Sequence, residues 1–305
     1  MRFLLILVLS IALRAYGGQE AFIPGQSYFG RSNYVEYLAG NLPLIISAPH
    51  GGTLKPAEVP DRKQGTFDTD TNTEELARAI YQGFHERLGG YPHVIICRLV
   101  RTKVDCNRDL AEGAGDDPGA QQAWKDFQQF IQVAKSNVLA GTGKGFYIDL
   151  HGQSHPIKRI ELGYSLTAHQ LTNADAVLNE PGFAHGSTVR TLARRSGLPL
   201  SELVRGTNSL GAMLAARDYP AVPSPAMPDP GARNPFFGGG PNARRHGSAN
   251  GGTIDGVQME VNLPGIRDSK SNREKFALAL AEIMETFFRR YYDLELGPSP
   301  ATGSR

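Results

Sequence analysis

Residues 145–152 read Gly-Phe-Tyr-Ile-Asp-Leu-His-Gly. Gly145 to Leu150 has the length and apolar content of a buried strand, and His151-Gly152 follows it directly. Asp149 stands two residues before the histidine. An earlier stretch is built the same way: Leu44-Ile45-Ile46-Ser47-Ala48 reads as a strand that ends in Pro49-His50-Gly51-Gly52. Two further strands are expected over His93–Cys97 and Ile254–Val261. Helical spacing is expected between them, over 73–89 (Leu76, Ala77, Ile80 and Phe84 on one face) and 120–140 (Trp124, Phe127, Phe130, Ile131 and Ala134). Short helices are expected over 189–196 and 210–216, and a long amphipathic helix over 272–292 closes the chain. Strands alternating with helices imply an α/β fold, a mostly parallel mixed sheet covered by helices on both faces. Ligands of such sheets bind beyond the carboxyl ends of the strands. His50, His151 and Glu260 all fall at that edge. The glycine beside each histidine leaves room for a metal or a substrate to approach the backbone.

Bulk properties narrow the class. A chain of 305 residues with 40% apolar and 20% charged residues is globular and large enough to bury a full core. Residues 1–18, MRFLLILVLSIALRAYGG, join a leading Arg2 to a short aliphatic run and the small residues Ala15 and Gly17, two apart. This pattern is expected to be a secretory signal, too short to span a membrane. The mature chain is therefore expected outside the cell, or in the periplasm of a bacterium, without a membrane span. The signal takes Arg2 and Arg14 with it, so Lys plus Arg falls from 32 to 30 against 30 acids. A mature charge near zero argues against a nucleic-acid partner. Cys97 and Cys106 either pair as a disulfide or stay as two buried thiols. A single catalytic domain is expected over residues 19–296, with a frayed tail over 297–305. A Pro- and Gly-rich segment over 219–256 leads into the strand that carries Glu260 and is expected to form an ordered rim over the site.

Each polar cluster has an ordinary reading beside a chemical one. A single histidine after a strand is usually structural, but two at matched strand ends suit zinc, whose catalytic sites take three N or O ligands and leave one position open. Asp68-Thr69-Asp70-Thr71-Asn72-Thr73 is not a calcium loop, because its sixth position is Thr73 and its twelfth is Ala79. It reads as a polar loop entering a helix capped by Thr73, with one carboxylate facing the metal. Asn107-Arg108 can grip a carboxylate through a guanidinium fork and an amide donor, although surface arginines more often form ion pairs. Glu260, in the apolar strand Val257-Gln258-Met259-Glu260-Val261, is an acid in a place that excludes unpaired acids, which suits a general base. Gly141-Thr142-Gly143-Lys144-Gly145 precedes a strand, so it is no phosphate loop, and no G-x-S-x-G nucleophile turn occurs.

Five motifs in order, SAPHGG, TDTNTEELA, NRDL, DLHG and VQMEVN, resemble the N-formylglutamate amidohydrolase family, within the wider zinc carboxypeptidase-like (phosphorylase/hydrolase-like) fold. The resemblance runs from about Leu44 to Tyr292. It implies that His50 and His151 are metal ligands, that Asn107 and Arg108 hold a substrate carboxylate, and that Glu260 is the catalytic glutamate. Zinc carboxypeptidases place a ligand carboxylate three residues after the first histidine, where this chain has Thr53. The segment Asp70–Ala77 is similar to one in poly-γ-glutamate hydrolases, which implies Asp70 as the third ligand, with Glu58 and Asp68 behind it. Arg101 is expected to steady the oxyanion, and Arg62, His155 and His246 to lie near the pocket. One zinc per chain and cleavage of an amide bond in an N-acyl amino acid or peptide bearing a carboxylate are the expected cofactor and reaction. A secreted carboxypeptidase, a γ-glutamyl or peptidoglycan-type amidase, and a non-catalytic metal-dependent binding module are the alternatives.

Overall fold

A computed structural model of the chain describes residues 22–297. The expected signal over 1–18 and nearly all of the expected tail lie outside these residues. Eight strands form one sheet: β1 (Ser27–Phe29), β2 (Val35–Leu38), β3 (Leu44–Ala48), β4 (His93–Cys97), β5 (Gly145–Gln153), β6 (Ile160–Gly163), β7 (Ala221–Val222) and β8 (Ile254–Asn262). Their order is β1-β2-β4-β3-β5-β8-β6-β7. The centre, β4-β3-β5-β8, is parallel. Both flanks turn it into a mixed sheet, since β2 runs against β4 and β6 against β8. The class is the α/β architecture expected. Its edges were not expected, because strands of two to four residues are too short to show a period.

Side chains alternate between the two faces of a strand, and this alternation sorts the core. Ile46, Ile148, Leu150, Val257 and Met259 point to the face covered by helices Thr73–Leu88 and Lys270–Tyr292, against Leu76, Ile80, Phe84, Phe276 and Leu280. Ile45, Ile95 and Tyr147 point to the opposite face, under helix Pro118–Thr142 with Phe127 and Ile131. Each such aliphatic or aromatic side chain taken from water contributes about 1.5–3 kcal/mol. Helix Pro118–Thr142 is punctuated at both ends. Asp117 caps it by accepting from the Ala120 amide, Pro118 opens it, and Gly143 closes it in the left-handed region at φ 69°.

Two local expectations are corrected. Thr73 is the first helical residue rather than the cap; Asn72 holds that place at φ 64°, and the Thr73 hydroxyl donates to the Asp70 carbonyl at 2.8 Å. That bond ties the Asp70 loop to the helix start. His151 does not follow its strand but lies inside it, because β5 runs on to Gln153 alongside β8. Cys97 and Cys106 are free, buried thiols. The segment 219–256 holds β7, a short helix Pro241–His246 and irregular chain between them.

Candidate metal centre

The parallel register sets the site. His151 is the cross-strand partner of Glu260, and Glu260 is the partner of Glu161 on its other side. Residues opposite one another share a face, so one row of the sheet carries His151, Glu260 and Glu161, all buried. Asp149 and Ser47 form the next row back, and the Ser47 hydroxyl donates to Asp149 Oδ1 at 2.6 Å. This polar face opens at the carboxyl edge of the central strands. There the chain after β3 delivers His50, and the loop before helix Thr73–Leu88 delivers Asp70.

The two imidazoles meet through their Nδ1 atoms, 3.1 Å apart. Asp70 Oδ2 lies 3.1 Å from His151 Nδ1 and 3.5 Å from His50 Nδ1. Among the described residues, His50, Asp70 and His151 form a buried group that could hold a metal ion. The spacing fits: ligands about 2.0–2.1 Å from a tetrahedral zinc stand about 3.3 Å from one another. The proton inventory fits as well. His50 Nε2 donates to Asp105 Oδ1 at 2.7 Å, and His151 Nε2 donates to Asp149 Oδ2 at 2.9 Å. A carboxylate on the far nitrogen fixes the tautomer that turns both Nδ1 lone pairs toward Asp70. Two lone pairs and a carboxylate converging in a buried place require a cation, supplied by a proton or by a metal.

The local electrostatics follow from that crowding. With protons in place of a metal, burial alone would raise the Asp70 carboxyl, but hydrogen bonds and charge from His151 and His50 hold it well below the usual range. Burial opposes the charged form of His151; Asp149 and Glu260 outweigh it and push that imidazole well above its ordinary value. Burial pushes the Glu260 carboxyl up to about 7, with the Asp70 charge adding to the rise and His151 working against it. Gln258 Nε2 donates to Glu260 Oε1 at 2.7 Å.

Other expected residues are placed as follows. Arg101 belongs to the centre: its Nε donates to Asp105 Oδ2 at 2.9 Å, and its Nη1 lies 3.9 Å from Asp70 Oδ1. Asn107 also belongs to it. Its Nδ2 lies 3.1 Å from His151 Nε2, and its Oδ1 accepts from the Asn242 amide, which brings the 219–256 segment against the site. Arg108 is half-exposed and pairs with Glu112 at 3.0 Å, with no bond to the three residues of the group. The Arg62 guanidinium is buried and committed to the carbonyls of Gln64, Thr66 and Arg101. His155 Nδ1 donates to Glu161 at 2.9 Å, and its ring stacks on Phe237. His246 is buried against Gln128 and Tyr147. Glu58 accepts from the Tyr34 hydroxyl, and Asp68 offers its backbone carbonyl to Arg101.

The glycines do not serve as expected. A methyl on Gly51 would overlap Thr73 and Glu74 at the helix start, one on Gly52 would overlap the Arg98 backbone, and one on Gly152 would overlap the Arg267 guanidinium. The room they leave is filled by the chain itself. Asp105, Asp149, Glu161, Gln258 and Arg267 are among the polar residues near the centre to which no role was assigned from sequence. The signal for Asp105 lay in its neighbours Asn107 and Arg108. Arg267 has no motif around it.

No family model matches the chain, and no curated protein does. Solved structures do. N-formylglutamate amidohydrolase from Ralstonia eutropha JMP134 is similar at 14% identity over 83% of this chain and 95% of that one, with a TM-score of 0.48. A gene product of Agrobacterium tumefaciens is similar at 13% identity over 82% and 92%, with a TM-score of 0.45.

Proposed function

We propose that the chain is a zinc-dependent hydrolase that cleaves the amide bond of an N-acyl amino acid or peptide bearing a carboxylate, and that it acts after secretion. The observation that carries this reading is the donor set: two Nδ1 atoms and one carboxylate oxygen at 3.1–3.5 Å, each imidazole braced by a carboxylate behind it. Neutral imidazoles and one carboxylate favour zinc over harder cations. A bound zinc ion supplies Lewis-acid charge that lowers the pKa of water and polarises an amide carbonyl.

The residues of the chain do the rest. His50, Asp70 and His151 hold the ion, while Asp105 and Asp149 keep both histidines in the binding tautomer. Glu260, the cross-strand partner of His151, takes a proton from the attacking water and passes it to the leaving nitrogen. Arg101, already aimed at Asp70 and Asp105, adds positive charge beside the developing oxyanion. Arg108 can exchange its half-exposed pairing with Glu112 for a substrate carboxylate, because such pairs hold weakly in water.

The test is turnover of N-acyl amino acids and short peptides by wild type and Glu260→Gln. The variant is expected to keep its zinc and lose turnover by about 100-fold or more. Full activity in Glu260→Gln would refute the role given to that residue. Zinc binding without turnover of any amide by the wild type would favour a binding module.

A further inference from the structure

Arg267 is among the largest fully buried side chains of the described residues. Its partners are main-chain oxygens. Nε donates to the Val261 carbonyl at 3.1 Å, Nη2 to Gln153 at 3.0 Å, and Nη1 to Thr71. Thr71 follows Asp70, Gln153 lies two residues past His151, and Val261 follows Glu260. One guanidinium thus bonds to each of the three segments that carry two ligands and the proposed base. The group lies over Gly152, where any side chain would displace it. Its own carbonyl is fixed in turn, accepting from Asn72 Nδ2 at 2.9 Å and from Arg273 Nη1 at 2.7 Å.

Burying a cation among neutral acceptors is costly. Here burial dominates and holds the guanidinium below its ordinary value, with the charges of Asp70 and Glu260 working against that fall. A lysine presents one point of charge, whereas the planar fork of arginine reaches three carbonyls from fixed directions at once.

We propose that Arg267 is the positioning residue of the centre: seated in the space beside Gly152, its guanidinium fixes the segments bearing Asp70, His151 and Glu260 relative to one another. The proposal rests on reading His50, Asp70 and His151 as a metal site. Positioning of this kind governs how well ligands are pre-arranged, so its loss is felt in metal affinity and in local opening.

Two measurements on wild type, Arg267→Ala and Arg267→Lys test it: Zn2+ affinity by chelator competition, and amide hydrogen exchange of the metal-free proteins. In Arg267→Ala, exchange in segments 70–73, 151–154 and 260–262 is expected to speed up together by about tenfold or more, while β4 is unchanged. Zn2+ affinity is expected to fall by about 10–100-fold and to recover in part when millimolar guanidinium is added. Arg267→Lys is expected to fall between, and it carries the same comparison if the alanine variant does not fold. Exchange that stays unchanged or rises uniformly across the sheet, with Zn2+ affinity within about twofold of wild type, overturns the proposal. Wild type that binds no Zn2+ while the three segments still loosen together overturns the metal reading and leaves the positioning role standing.

Discussion

Replacing Asp105 by asparagine isolates the contribution of a residue that would not touch the metal. Its carboxylate is fully buried and every oxygen is in use: Oδ1 accepts from His50 Nε2 at 2.7 Å and from the Asn107 amide at 2.9 Å, and Oδ2 accepts from Arg101 Nε at 2.9 Å. Burial works against the ionised form, and the charges and hydrogen bonds of His50 and Arg101 overcome it, holding the carboxyl well below the usual range. Asparagine keeps the shape but turns one oxygen into an NH2 group. With the NH2 toward Arg101, two donors face each other without water. With the NH2 toward His50, the imidazole escapes the clash only by moving its proton from Nε2 to Nδ1, the atom aimed at Asp70. Either arrangement costs metal affinity. Carboxylate partners of metal-binding histidines are worth about 10–100-fold in affinity, or about 1.4–2.7 kcal/mol. Zn2+ titration against a chromophoric chelator measures this, with circular dichroism to confirm folding. An Asp105→Asn protein that is folded and binds Zn2+ as tightly as wild type would refute the claim that His50 binds through Nδ1.

Two further predictions concern stability. His93 is buried, accepts from the Tyr37 hydroxyl at Nδ1, and burial lowers it from 6.5 to about 4. The unfolded chain therefore binds a proton between pH 6.5 and 4 that the folded chain refuses, so stability is full above that window and is lost as pH falls through it. The loss from this residue is about 2 kcal/mol at pH 5, and His93→Asn should flatten the dependence of unfolding free energy on pH measured in urea. Phe276, fully buried against Tyr219 at a centroid distance of 5.0 Å, should cost about 3–5 kcal/mol as Phe276→Ala, read from the denaturation midpoint; a cost below about 1 kcal/mol would contradict its place in the core.

The central strands and long helices were legible because each is long and apolar enough to carry its own period. The run 145–150 needed no tertiary information to be read as a strand, and the spacing of Leu76, Ile80 and Phe84 none to be read as a helix face. Residues 35–38 and 160–163 carry four-residue strands whose existence depends on β4 and β8 beside them, and nothing local announces that. His151 shows the same limit: it reads as following its strand, yet pairing with Glu260 extends the strand through it. In the centre, His50, His151 and Glu260 were legible as polar residues at strand ends, whereas Asp70 needed a family resemblance to separate it from Asp68 and Glu58. Asp105 and Arg267 act through atoms that only folding brings near, across 55 residues to His50 and 196 to Thr71. The role of Gly152 likewise became readable only once Arg267 was seen to fill the space beside it.

The most direct test is the zinc content of the purified protein, by elemental analysis of wild type and His151→Ala after dialysis against trace metal. About one zinc per wild-type chain and none retained by the variant are expected. A wild-type chain that holds no zinc and gains none on titration would contradict it, because the convergence of His50, Asp70 and His151 would then be held together by protons alone.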